Sequence, residues 1–340
     1  MGFPVTATAP LKTIEEIVRR SRLAQKLSSA SGAIAGVVAP DSVEVVSLGT
    51  GVDAGTPMEI GSVTKIFTAL LLAEAMRRDE LKLSDRVDEV LFGLRWTGAP
   101  SITAGELATH TSGLPRLSFG RLRALQADPY RGYTRAALLL YLEQSQPRSQ
   151  ESPAHSYSNL GYEVLGLLLE KSGSLPFEQL LRERLLNPMG MAHTGLQLAG
   201  GRDLVRSGFT GSGAQASTWH MDAYAPCGAM ISTLEDLVVA ARSFLDARSP
   251  IAASLALTTE PRAAVAGGSI GLAWMLPAAG AAYWHNGATA GYCAYFGVNT
   301  RSRMAAIVLA NQTRAGEISE LGTELMQHIR AASTASGGAG

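Results

Sequence analysis

Apolar residues run through this chain in two rhythms, one helical and one alternating or continuous, and the rhythm changes twice. From Thr13 onward, Ile14, Ile17, Val18, Leu23 and Leu27 recur at helical spacing, with Glu15 and Glu16 in the expected first turn. This predicts an amphipathic helix behind a loose arm of residues 1–10. Two short β-like runs follow, residues 33–38 and 43–48, joined by the turn Ala39-Pro40-Asp41-Ser42. After a loop, a helix is expected to begin at Ser62. Its apolar residues (Val63, Ile66, Phe67, Leu70, Leu71, Leu72 and Met76) lie nearly all round the axis, the pattern of a helix buried on most sides.

From Asp79 to about residue 247 the pattern is mostly helical with long connections. Helices are predicted near 134–144, 160–171, 176–186 and 233–247, and a Gly-, Ser- and Thr-rich loop over 200–224. Strand-like runs return at 269–276, 281–285, 292–299 and 303–311. A last helix over 316–329 and a small-residue tail, 331–340, expected to be disordered, complete the chain. The expected fold class is α/β (α+β): one antiparallel sheet made from the first hairpin and the last strands, flanked by the first and last helices. Residues 11–80 and 250–330 would form that sheet domain, with 81–249 a mainly helical domain inserted into it.

Composition narrows the function classes. The 340 residues, 46% hydrophobic and 17% charged, can bury a large core. Lys plus Arg and Asp plus Glu balance at 29 each, so nothing draws the chain to nucleic acid or an anionic membrane. No apolar run has bilayer length, and the first ten residues have neither the charged nor the apolar part of a secretory signal. A cytoplasmic location is therefore the expectation. Cys227 and Cys293 are too far apart for a metal motif or a disulfide framework and read as buried thiols. His110 and His155 have no acidic or Cys partner at ligand spacing, so no metal and no cofactor is expected. Of the two, His110 reads as structural, while His155 is a candidate for lining a pocket near Tyr157.

The chemistry starts at Gly61-Ser62-Val63-Thr64-Lys65. Among five lysines only Lys65 has a serine three residues before it. That spacing puts both side chains on one helix face, one turn apart. Ser62 would also sit beside the free N–H groups and positive dipole end of the helix. These are the parts of a serine nucleophile activated by an amine. A second element is Ser156-Tyr157-Ser158-Asn159, the one Tyr-x-Asn in the chain. Tyr157 can relay a proton where cations stand beside it, and Asn159 can bind Lys65 and a substrate carbonyl together. A third is Tyr283-Trp284-His285-Asn286-Gly287-Ala288, read as a strand end. There Gly287 would admit a substrate close to the backbone, and the Ala288 N–H would join that of Ser62 as an oxyanion hole.

Two other motif matches are set aside. Gly267-Gly268-Ser269-Ile270-Gly271 matches a Gly-x-Ser-x-Gly elbow but is followed by a strand-like run rather than a helix. Glu183-Arg184-Leu185-Leu186-Asn187 matches a Glu-x-x-Leu-Asn pattern on the polar side of a helix and reads as a surface glutamate.

Taken in order, the three elements resemble the serine β-lactamase and penicillin-binding family, in particular its class C β-lactamase, D-Ala-D-Ala carboxypeptidase and esterase branch. The resemblance covers about residues 11–330. It is reinforced by His110-Thr111-Ser112-Gly113-Leu114, by Asn187-Pro188-Met189-Gly190-Met191 and by the helix start Cys227-Gly228-Ala229-Met230-Ile231-Ser232-Thr233. It implies the β-lactamase-like fold, with Ser62 as acylated nucleophile, Lys65 and Tyr157 sharing general-base work, and Asn159 positioning substrate. His285 stands where many relatives carry the Lys of Lys-Thr-Gly, and Asn286 where they carry the Thr that binds a substrate carboxylate. Both departures count against β-lactams and D-Ala peptides. Four readings stay open: a hydrolase of small-molecule esters or amides, an acyltransferase or amide-forming enzyme using a second acyl acceptor, a β-lactamase or D-Ala carboxypeptidase, and a non-catalytic binding protein.

Overall fold

The computed structural model describes residues 13–91, 102–124, 126–145, 154–196, 207–278 and 281–336. The expected N-terminal arm, residues 200–206 of the expected loop and the last four residues of the expected tail lie outside these. Helix Ile14–Arg20 begins with a capping box. Thr13 accepts from the Glu16 N–H, and the Glu16 carboxylate accepts from that of Thr13. The helix stops at Ser21, which caps a second short helix, Arg22–Lys26.

Eight strands make one antiparallel sheet. In chain order they are β1 (Gly32–Val38), β2 (Val43–Gly49), then β6 (Ala263–Val265), β7 (Gly268–Ile270), β8 (Met275–Pro277), β9 (Ala282–Ala288), β10 (Cys293–Asn299) and β11 (Met304–Ala310). Their spatial order is β2-β1-β11-β10-β9-β8-β7-β6. The first hairpin and the last strands thus share a sheet, as expected. β1 lies beside β11, with Ala35 opposite Val308. β1 and β10 are buried at every residue, which explains their continuous apolar runs. Ala33, Val37, Tyr295 and Val308 pack on one face against the first and last helices. Ile34, Phe296, Ile307 and Leu309 pack on the other, against the helical part of the chain.

The structure corrects three expectations. The strand expected over 269–276 is two strands, β7 and β8, because residues 271–274 turn back: Gly271 N–H bonds the Trp274 carbonyl and Ala273 has φ +68°. A second, small sheet exists, in which β5 (Met230–Ser232) lies between β3 (Met58–Glu59) and β4 (Gly195–Leu196). Strands of two or three residues leave no periodic signal. The last helix is Ala315–Ser336 and so takes in the first six residues of the expected tail.

The helix after Ser62, Thr64–Arg77, is buried from Thr64 through Ala75. It packs against helices Asn159–Gly173, Ala225–Gly228 and Ala252–Thr258. This central helix and the edge of β9 hold the site between them.

Candidate active site

Ser62 sits in a tight 3₁₀ turn, Gly61–Val63, that leads directly into the central helix. Gly61 has φ +51°, which only glycine adopts freely. The turn is pressed against β9. A Cβ on Gly61 would stand 2.7 Å from the Ala288 nitrogen, and a Cβ on Gly287 would stand 2.0 Å from the Ile60 carbonyl oxygen and 2.8 Å from the Ser62 nitrogen. Two glycines facing each other therefore bring the Ser62 and Ala288 amides together at the site.

The Tyr157 hydroxyl donates to Ser62 Oγ at 2.6 Å, and Lys65 Nζ reaches the same oxygen at 3.3 Å. Lys65 is fully buried. Its other two donors go to Asn159 Oδ1 at 2.8 Å and to the Cys227 carbonyl at 2.7 Å. Three acceptors are the number an ammonium can serve. The charge also lies over two aromatic rings, 4.9 Å from the centre of Tyr157 and 5.3 Å from that of Tyr162. Asn159 opens its helix and Ser158 caps it, accepting the Gly161 N–H at 2.9 Å. The cap thus fixes both Tyr157 and Asn159 at a helix mouth.

His110 anchors this segment from behind. Its Nδ1 accepts the Ser158 N–H at 3.1 Å and its carbonyl accepts the Ser156 N–H at 2.8 Å. Burial, with Lys65 next, holds the ring well below the usual histidine range. The structural reading of His110 therefore rests on two backbone hydrogen bonds. His155 packs edge-on against it, 5.7 Å between ring centres, and does not line the pocket.

His285 is buried, 5% exposed, with Nδ1 donating to the Asn286 carbonyl at 2.5 Å. Burial first, and then Lys65, lowers it to about 4 against a weaker opposing pull from that carbonyl. It is a neutral ring at pH 7, 6.4 Å from the Tyr157 ring. Alternation along β9 puts the Asn286 side chain on the other sheet face, where it donates to Ser319 Oγ at 2.7 Å. So the backbone of Asn286 lines the pocket and its amide side chain does not reach it.

The pocket is about 290 Å³ and is lined by Ser62, Arg116, Tyr157, Asn286, Gly287, Ala288 and Ala315. Ser62, Lys65, Tyr157 and Asn159 are thus linked directly and Gly287 and Ala288 form the adjoining wall, while His285, buried beside them on β9, is not among the lining residues. Sequence reasoning missed two participants. The Cys227 carbonyl has no side-chain signature. The Arg116 guanidinium, 5.0 Å over the Tyr157 ring, sits in a loop with no periodic signal. Behind Lys65, Glu163 is 1% exposed and, among the described residues, neither carboxyl oxygen has a well-formed hydrogen bond. Burial raises it well above the usual carboxylate range, against weaker opposing pulls from Tyr224 and Lys65, and so favours its protonated form. Among the described residues no group of three or more His, Cys, Asp or Glu is placed to hold a metal ion.

A family model described as Beta-lactamase matches residues 20–330, and the chain belongs to that family, a family of serine hydrolases. Penicillin-binding protein 4 of Amycolatopsis lactamdurans is 28% identical over 303 residues, covering 78% of this chain and 76% of that protein. A beta-lactamase of Providencia stuartii is 32% identical over 139 residues, 41% of this chain but only 34% of the relative's length. In structure, a beta-lactamase/D-alanine carboxypeptidase from Pseudomonas syringae matches with a TM-score of 0.77 at 21% identity, over 93% of this chain and 98% of that one. At that identity the likeness is one of fold.

Proposed function

We propose that the protein is a serine hydrolase that forms an acyl ester on Ser62 from an ester or amide of a small molecule and passes the acyl group to water. One observation carries this reading: a single oxygen, Ser62 Oγ, is held by both the Tyr157 hydroxyl and the Lys65 amine at the floor of an open pocket. Either partner, once it has shed a proton, is within reach to take that of Ser62. The bond from Oγ to the acyl carbon forms, the bond to the leaving oxygen or nitrogen breaks, and the proton returns to the leaving group. The amides of Ser62 and Ala288 would hold the carbonyl oxygen as it gains charge. Hydrolysis of the ester by water repeats the sequence with water as nucleophile.

Transfer to an amine or alcohol uses the same ester and is separated from hydrolysis by the test. The β-lactamase or carboxypeptidase reading takes support from the relatives' names. Against it stand a neutral His285 and an Asn286 side chain turned out of the pocket. The test is turnover of 4-nitrophenyl esters and of nitrocefin, with and without amines and alcohols, with mass spectrometry of the intact protein. Ester turnover with a transient adduct on Ser62, lost in Ser62→Ala, is the expected result. Activity that survives Ser62→Ala would overturn the assignment. Product that forms only with an acceptor would favour transfer.

A further inference from the structure

A second cavity, of about 220 Å³, lies between the sheet and the last helix, away from Ser62. Trp284 on its wall neighbours His285 on β9 and so points to the opposite sheet face, into the cluster packed by the terminal helices. Trp284 and Tyr295 from β10 stack with ring planes 16° apart and centres 5.7 Å apart. The stack is tightly seated. A Cβ on Gly322 would come within 2.3 Å of the Tyr295 ring, and one on Gly297 would lie 2.9 Å from it and 3.0 Å from Met326 Sδ. The last helix can press on Tyr295 only because residues 322 and 297 carry no side chain. Tyr295 is fully buried by this packing, whereas Trp284 is only partly buried and lines the cavity.

The lining is mostly apolar, yet it contains Arg301 and Arg330 and neither Asp nor Glu. Among the described residues neither guanidinium has a carboxylate partner. Apolar cavities of about 150 Å³ take up benzene, so this one has room for one or two rings. An aromatic floor accepts a ring by offset stacking. Two unpaired guanidiniums at the rim match a carboxylate, which each can bind through paired N–H donors. We propose that this cavity is a binding site for a small aromatic carboxylate, separate from the Ser62 site and independent of its chemistry.

Titration calorimetry of the full-length protein with 2-naphthoate, and with neutral 2-naphthamide as its control, tests this. The expected result is saturable 1:1 naphthoate binding, with the amide weaker by about tenfold, the effect of one charge-assisted hydrogen bond. The Arg301→Gln/Arg330→Gln double variant changes only exposed side chains and should lose that preference. Protein whose Ser62 has been blocked by a fluorophosphonate should bind naphthoate as before. Absence of binding, equal binding of acid and amide, an unchanged double variant, or loss of binding on blocking Ser62 would each overturn the proposal.

Discussion

The Tyr157 hydroxyl is bonded to Ser62 Oγ at 2.6 Å, a shorter contact than Lys65 makes with the same oxygen at 3.3 Å. Tyr157→Phe removes that bond and little else, because the ring is held separately, 4.5 Å from His110 and 5.0 Å from the Arg116 guanidinium. Removing a general acid–base group costs on the order of 10²–10⁴ in rate. Ester turnover and the rate of fluorophosphonate labelling should both fall by that order in Tyr157→Phe, with the melting temperature little changed. Labelling at the wild-type rate would show that Tyr157 does not activate Ser62.

Lys65 is bound to structure as much as to chemistry. Lys65→Met keeps the bulk of the side chain and strips its donors, leaving Asn159 Oδ1 and the buried Cys227 carbonyl without theirs. An unsatisfied buried acceptor costs about 1–3 kcal/mol. The variant should therefore lose stability by about that amount in urea unfolding as well as losing ester turnover. Asn159→Ala should cost less stability, since the lysine keeps its carbonyl partner. A Lys65→Met protein as stable as wild type would mean that these hydrogen bonds contribute little.

The fold was legible where an element is long and its residues share one fate. The continuous apolar runs of β1, β10 and β11 and the all-round apolar central helix announce burial on both sides, and burial is what they show. The two-residue strands β3 and β4, and the turn that splits β7 from β8, depend on tertiary contacts and carry no period. The links among Ser62, Lys65, Tyr157 and Asn159 were legible because the chemistry needs side chains of particular types. The Cys227 carbonyl was not, since any residue offers a carbonyl, and neither was Arg116, one arginine among many. The direction of the Asn286 side chain was readable in principle. Alternation along the strand already sends it to the face opposite His285, the face that Trp284 shares.

Gly287 and Gly316 separate a steric role from the ordinary cost of a glycine. A Cβ at Gly287 would collide with the Ile60 carbonyl oxygen at 2.0 Å and crowd the Ser62 nitrogen at 2.8 Å, both backbone atoms that cannot swing away. Gly287→Ala should push the Ser62 turn from β9, reducing ester turnover by about 10²-fold, the scale of losing one oxyanion donor. At Gly316, near the start of the last helix, a Cβ meets nothing within 4 Å among the described residues. Gly316→Ala should leave turnover intact and add up to about 1 kcal/mol of stability through helix propensity. Equal, small effects at both positions would show that the turn and β9 are not packed as described.

His285 and Glu163 should give the protein opposite pH dependences of stability. His285 is lowered to about 4 in the folded protein, chiefly by burial, against an ordinary value of about 6.5. Above 6.5 both folded and unfolded chains hold it neutral, and its contribution to stability is fully present. As pH falls from 6.5 to 4, the unfolded chain takes up a proton that the folded site refuses, and stability is lost, by about 3 kcal/mol. His110, also lowered, acts in the same direction. Glu163 is raised, so the sign reverses. Below its ordinary value of about 4.5 it costs nothing, and above that the unfolded chain ionises while the folded one does not, so stability falls with rising pH. In urea unfolding across pH 4–8, His285→Gln should flatten the acid limb of the stability curve in part, leaving the share of His110. Glu163→Gln should instead raise stability toward pH 8. An acid limb unchanged in His285→Gln would mean that the ring takes its proton as readily in the folded state as in the unfolded one.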